Sequence, residues 1–281
     1  MTVVVAGSLH LDVVVRAPHL PAIDETVTGS GVDYVFGGKG GNQALALAKL
    51  GAKVTMAGRA GSDGFGDIIR QKLKSAGVDM SLLQQDDGPS GMSVAIIDEK
   101  GDYGAVIVSA ANLALDAKAI DLPQDTALVL LQNEVPEEVN ITVANAAKLI
   151  GSDVWLNAAP ARPLSDELLS NVDLLIVNRV EAAYYSPVPR NTDVLTTLGA
   201  DGVLYRDGSW PALKTEVIST HGAGDMFVGA LAARVTAGDS VEQAIPFAQA
   251  AAAWHISNEP AARDAAGPMA LNTLLRDQLN P

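Results

Sequence analysis

Ser219-Thr220-His221-Gly222-Ala223-Gly224-Asp225-Met226-Phe227 places three small residues directly before an aspartate, then runs into an apolar, helix-like stretch over 226–234. Backbone N–H groups at a helix start point outward and carry partial positive charge, which suits an anion. With only Gly222, Ala223 and Gly224 in the way, a phosphate can come close to that backbone. An aspartate held beside the phosphate can take a proton from an attacking hydroxyl, which makes Asp225 a candidate general base. Taken alone, the peptide equally fits a glycine turn capped by Asp225, so the rest of the chain has to decide.

Upstream and downstream of this peptide, short β-branched runs alternate with Ala/Leu-rich segments. Strands are expected at 3–6, 54–57, 127–131, 153–157, 174–178, 194–197 and 202–205, and helices at 40–49, 65–76, 137–150, 166–171, 225–237 and 241–255. Such alternation predicts an α/β fold, a doubly wound and mostly parallel sheet with helices on both faces. In these sheets ligands sit beyond the carboxyl ends of the strands. Two regions break the pattern. Segments 11–16 and 25–35 read as strands joined by a Pro-containing turn, and 93–98 with 103–108 reads as a hairpin across Glu99-Lys100-Gly101-Asp102. Neither is expected to lead straight into a helix, and together they suit a small sheet lying over the main one.

A second glycine cluster, Phe36-Gly37-Gly38-Lys39-Gly40-Gly41-Asn42-Gln43-Ala44, opens the first expected helix. It brings backbone close to a ligand at a helix start, with Lys39 available for an anion and Asn42 for a hydroxyl. Lys39 lies among the glycines with no Lys-Ser/Thr at the end, so this is not the usual phosphate loop of nucleotide triphosphatases. Asn178-Arg179-Val180-Glu181 follows an apolar strand. Asn178 and Glu181 share one helix face, where they suit water-mediated Mg²⁺, or else form a capping box. Thr196-Thr197-Leu198-Gly199-Ala200-Asp201-Gly202 reads as a hairpin turn or as a loop touching nucleotide phosphates. Asp12, in Gly7-Ser8-Leu9-His10-Leu11-Asp12, is read at a strand end, where a carboxylate grips two sugar hydroxyls or serves a turn. Glu134 and Asn157 stand at further strand ends. His221 adjoins the glycine turn and can touch a phosphate, whereas His255 is expected to pack at a helix end.

Composition narrows the function classes. The chain has 281 residues, is 48% hydrophobic and 19% charged, and is expected to form one domain, 1–281. A formal net charge of −14 argues against nucleic acid or an anionic membrane as partner. With no cysteine, thiolate metal sites and a Cys nucleophile are excluded, and the four histidines lack zinc-site spacing. The chain enters Val3-Val4-Val5 without a basic leader and has no apolar run long enough to span a bilayer, so a cytoplasmic protein is expected.

Taken in order, these segments resemble the ribokinase-like (PfkB-type) carbohydrate kinase family. The 37–44 loop looks like its N-terminal signature, Gly222-Ala223-Gly224-Asp225 like its C-terminal one, and Asn178-x-x-Glu181 like its Asn-x-x-Glu motif. The resemblance implies a doubly wound core with a β-lid at about 11–35 and 91–109, through which copies often pair. It implies ATP and Mg²⁺ as cofactors and transfer of the γ-phosphate to a hydroxymethyl group of a sugar, ribose or a related pentose or ketohexose. A nucleoside such as pseudouridine, or a catalytically silent sugar- or nucleotide-binding role, stands as the alternative. Asp225 then matches the base, and Gly222, Ala223 and Gly224 the anion hole. Asp12, Gly38, Lys39, Asn42, Glu134 and Asn157 match sugar-side positions. Asn178, Thr197, Gly199, Gly202 and His221 match the nucleotide side, with Asn178 and Glu181 organising Mg²⁺. Four departures stand out. Ser219 replaces the family's usual Asp, and the late loop reads Ser257-Asn258-Glu259-Pro260-Ala261. Both places help hold a monovalent cation in ribokinases, which puts K⁺ activation in question. His10 stands where ribokinases tend to have Asn, and a helix usual in the family is not expected around Ser186-Pro187-Val188-Pro189.

Overall fold

Thr2–Ala6 (β1) is buried along its whole length, as expected of an inner parallel strand covered on both faces. The computed structural model describes residues 1–187, 192–266, 271–273 and 275. From β1 the chain passes into His10–Arg16 (β2) and Gly31–Gly37 (β3), then Lys39–Lys49 (α1), Lys53–Gly61 (β4), Gly64–Ser75 (α2) and Leu83–Asp86 (β5). Gly91–Ile97 (β6) and Tyr103–Val108 (β7) follow, then Thr126–Gln132 (β8), Glu137–Leu149 (α3), Asp153–Asn157 (β9), Asp166–Ser170 (α4), Leu174–Asn178 (β10) and Arg179–Tyr184 (α5). The last elements are Asp193–Thr197 (β11), Val203–Tyr205 (β12), Gly208–Trp210 (β13), Ala223–Thr236 (α6), Val241–Ile256 (α7) and Pro260–Ala265 (α8).

Among the described residues the main sheet has nine strands in the order β13-β12-β11-β10-β9-β8-β1-β4-β5. All neighbours are parallel except the β11–β12–β13 edge. Alternate side chains of each inner strand sort onto two cores. Val3, Val5, Leu128, Leu130 and Ile176 pack under α1, α2, α6 and α7. Val4, Ala6, Val129, Leu131 and Val177 pack against α3 and α4. Strand order reverses at β1, with β4 on one side and β8 on the other, and this opens a crevice at their carboxyl ends.

The second sheet runs β3-β2-β6-β7. It is mixed, because β2 and β6 are parallel while the outer pairs are antiparallel. Three expectations need correction. The strand expected at 25–35 is Gly31–Gly37; Glu25 instead turns back onto the Ala22 N–H and the His19 ring. β3 also leads at once into a helix, with Gly38 alone between it and α1. Asp12 lies inside β2 rather than at a strand end. Of the 186–189 reading, Val188 and Pro189 lie outside the described residues. Among those described, no helix is long and apolar enough to cross a membrane.

Candidate active site

The glycine loop is shaped by close backbone contact. Gly38 has φ 84°, and a Cβ there would meet the His10 nitrogen and the Ser8 carbonyl, each at 2.9 Å. At Gly40 a Cβ would lie 2.8 Å from Ser8 backbone, so the loop rests directly on the end of β1. The Gly41 N–H donates to the Ser8 carbonyl at 2.9 Å. Ser8 Oγ and the Lys39 N–H both donate to Glu134 Oε2, at 2.5 and 2.8 Å. Glu134 therefore ties β1, β8 and α1 at the crevice.

The start of α6 meets this loop. Among the described residues no side chain caps α6, and its N-cap Gly222 is left-handed at φ 75°. Space is open where a Cβ of Gly224 would project. Asp225, 7% exposed, accepts from Asn42 Nδ2 through Oδ2 and from Gln43 Nε2 through Oδ1, each at 3.1 Å. Burial pushes its carboxyl above the ordinary value, and the Lys39 charge and the two amides pull it back. The helices approach closely because residue 229 is glycine: a Cβ there would lie 2.5 Å from the Ala46 Cβ and 3.1 Å from the Gln43 carbonyl.

On the lid side, Asp12 Oδ1 accepts from Ser93 Oγ at 2.6 Å. Its Oδ2 occupies space that any side chain at Gly37 would need. His10 lies on the same face of β2, two residues before Asp12, and is buried with its Nε2 unpartnered among the described residues. Gly37 and Gly91 flank it in register on the neighbouring strands. Asn157 ends β9 beside Gln132 of β8.

A second group gathers at the ends of β10 and β11, where Asn178 and Thr197 are in register. Here the capping-box reading is realised. Asn178 Oδ1 accepts from the Val180 and Glu181 N–H groups, and Glu181 Oε2 accepts from the Asn178 N–H at 2.8 Å. Burial raises the Glu181 carboxyl, opposed by the Asn178 N–H and the charge of Lys39. The hairpin reading of the next loop is realised too. β11 and β12 pair antiparallel across Gly199–Asp201, and Gly202, at φ 101°, has the Trp210 carbonyl where a Cβ would sit.

His221 is exposed on the turn before α6. Its carbonyl lies 3.0 Å from His255 Nε2, which is also 3.0 Å from Arg263 Nη1. A neutral ring satisfies one of these contacts at a time, donating to the carbonyl or accepting from the guanidinium. Burial and the Arg263 charge hold His255 neutral, with its pKa lowered to about 4.

Residues 2–265 match the pfkB family carbohydrate kinase. The chain belongs to that family. The ribokinase of Bacillus subtilis is 34% identical over 268 residues, covering 90% of this chain and 92% of the relative. Thermotoga maritima ribokinase has the same fold, with a TM-score of 0.87 at 26% identity over 98% of this chain and 99% of that one. So does Arabidopsis thaliana ribokinase complexed with ribose and ATP, with a TM-score of 0.87 at 28% identity over 98% of each chain. As a member of the pfkB family the protein is a sugar kinase.

Within this family fold, Gly38, Lys39, Asn42, Glu134 and Asp225 lie together around the glycine loop, with Asp12 on the lid beside Gly37, whereas Asn178, Glu181, Thr197, Gly199 and Gly202 gather at the ends of β10 and β11, where the Lys39 charge reaches Glu181. Asn42, expected to face a sugar hydroxyl, spends its amide N–H on Asp225. Four polar residues of the crevice were not singled out from sequence: Ser8, Gln43, Ser93 and Gln132. Gln43 alone had a usable signal, its place next to Asn42 at the opening of α1.

Proposed function

We propose that the chain transfers the γ-phosphoryl group of ATP to a hydroxymethyl group of ribose or a related pentose or ketohexose, with Asp225 accepting the proton of the attacking hydroxyl. The observation that carries this reading is the seat of Asp225, a buried carboxylate in the first turn of an uncapped helix, with one amide donor on each oxygen. A base raised toward neutral pH is better matched to a hydroxyl proton than an ordinary aspartate. The N–H groups over 222–224 are then the anion hole for the transferring group. Asp12, Gly38, Lys39, Asn42, Glu134 and Asn157 face the sugar, and Asn178, Thr197, Gly199, Gly202 and His221 the nucleotide. The whole chain, 1–281, acts as one kinase domain, with β2, β3, β6 and β7 as its lid. The likeness to a ribokinase solved with ribose and ATP supports this assignment. His10, at the sugar end, keeps related sugars in the panel beside ribose.

Magnesium fits through water. Among the described residues no group of three His, Asp or Glu side chains is set to hold a metal directly. Asn178 Oδ1 is occupied by backbone donors, so Glu181 is the group left to orient the waters of an ion held mainly by phosphates, as Mg²⁺ prefers. Such an ion would neutralise phosphate charge.

A monovalent cation does not fit. Ser219 supplies no carboxylate, the Ile256 carbonyl already accepts from the Ile218 and Ser219 N–H groups, and the Asn258 carbonyl accepts from Arg263 Nε at 2.7 Å. ADP release measured over pentoses, hexoses and nucleosides, with potassium or choline as the counter-ion, tests both assignments. The expected result is turnover of a pentose or ketohexose, with rates in the two salts agreeing within about twofold, a difference below ~0.4 kcal/mol. A nucleoside as the sole substrate, or binding without ADP, overturns the sugar assignment; strong potassium activation overturns the cation argument.

The lid side facing away from Asp12 exposes Tyr34, Val94 and Val106. We expect it to pair with a second copy. Sedimentation should show a dimer that Val106→Glu dissociates, and a monomeric parent protein would refute the pairing.

A further inference from the structure

Asp225 is held by more than its two immediate neighbours. Gln43 Nε2 donates to Asp225 Oδ1 at 3.1 Å, and Gln43 Oε1 accepts from Gln132 Nε2 at 2.8 Å. Both glutamines are fully buried. Gln132 ends β8, and its own carbonyl accepts from Asn140 Nδ2 of α3 at 2.9 Å, which pins that strand end to a helix on the opposite face of the sheet. The amide of Gln132 fills the place a side chain at residue 7 would take. A Cβ on Gly7 would lie 1.8 Å from Gln132 Oε1, and that oxygen is buried with no partner among the described residues.

The direction of this chain of amides is dictated by the carboxylate. An ionised carboxyl only accepts, so Gln43 must turn its NH₂ toward Asp225 and its oxygen toward Gln132. Gln132 must then present its own NH₂, which leaves its oxygen stranded beside Gly7. A buried acceptor without a partner is unfavourable by about 1–3 kcal/mol. A pair of glutamines serving packing alone could turn Gln132 over, yet it points its donor at Gln43 and leaves that oxygen bare.

We propose that Gln132 is a positioning residue for phosphoryl transfer, acting through Gln43 to lock the orientation of the Asp225 carboxylate. This rests on Asp225 being the base. Because Gln132 touches Gln43 and not Asp225, it can be changed without altering the groups at the carboxylate.

Gln132→Met keeps volume and removes the donor. The expected result is a fall in kcat of about tenfold or more, with KM for the sugar within about twofold, since misplacement rather than lost binding is at issue. The acid limb of the kcat/KM profile should also move to higher pH, because a Gln43 amide free to rotate no longer stabilises the ionised carboxyl. Gln132→His, which restores a ring N–H donor, should recover part of both effects. If Gln132→Met fails to fold, Gln132→Leu, which also removes the donor and leaves Gln43 in place, is read in the same way. Unchanged kcat and an unchanged acid limb in a folded variant overturn the relay. The two readings separate cleanly. Asp225→Asn with near-parent turnover sinks the base assignment, whereas an inactive Asp225→Asn beside a fully active Gln132→Met sinks the relay alone.

Discussion

Asp225→Asn should lower kcat by about 10³-fold, within the 10²–10⁴ range that general base catalysis supplies, while calorimetry still detects sugar and nucleotide binding. Asparagine keeps the shape of the side chain but cannot take a proton. It also disturbs the local polarity. Asn42 and Gln43 each donate to one oxygen of Asp225, and the substituted amide has one acceptor where there were two. One of these donors then faces another donor, so the variant should lose catalysis without gaining stability. Kinetics by ADP release and binding by calorimetry decide the matter together. Turnover within tenfold of the parent would remove Asp225 from the mechanism, and loss of sugar binding along with turnover would mean that the variant had collapsed the crevice.

The second large effect is expected from one methyl group added a turn beyond Asp225 on α6. Gly229→Ala places a Cβ about where the Ala46 Cβ already sits, at 2.5 Å, and close to the Gln43 carbonyl. Real Cβ contacts do not reach that distance, so α6 and α1 must move apart. Overpacking of this kind costs about 2 kcal/mol, which lowers the melting temperature by roughly 4–8 °C in a chain of this size. The same movement pulls Gln43 and Asn42 away from Asp225, because Asp225 and Gly229 lie one turn apart on α6. Turnover should drop about tenfold with it. Combining Gly229→Ala with Ala46→Gly should return part of both losses, as expected for residues in contact. Additive effects in the double variant would show that the helix crossing does not set the geometry of the carboxylate.

Much of this architecture was legible in the chain because burial and periodicity coincide. β1, β8 and β10 read as unbroken apolar runs, since both their faces are covered. β5 was not legible: Leu83-Gln84-Gln85-Asp86 lies at the sheet edge, half wet, and carries no apolar run. β13 is three residues long and pairs with β12 on one side only among the described residues. The strand expected at 25–35 failed because Thr and Val favour a strand only when a partner lies alongside, and the ladder with β2 begins at Gly31. Within the site, glycine loops and acidic residues at strand ends carry a local signature. Gln43 with Gln132 does not, because two glutamines 89 residues apart look like any others until the fold joins them. Asn178 and Glu181 show the opposite difficulty, for their spacing fits a capping box as well as water-mediated Mg²⁺, and the capping box is what the backbone uses.

The bonds from Asn42 and Gln43 to Asp225 also span 183 and 182 residues. A ribosome releases the glycine loop, the lid and Glu134 long before α6 exists. The nascent chain can assemble the glycine-loop half of the crevice, but the face of the sheet that α1 and α2 cover stays partly bare until α6 and α7 arrive. Contacts this distant in sequence close late and slowly. Asp225 is thus installed together with the helices that seal the core, so, with Asp225 as the base proposed above, no partly made chain should hold both a donor nucleotide and a competent base.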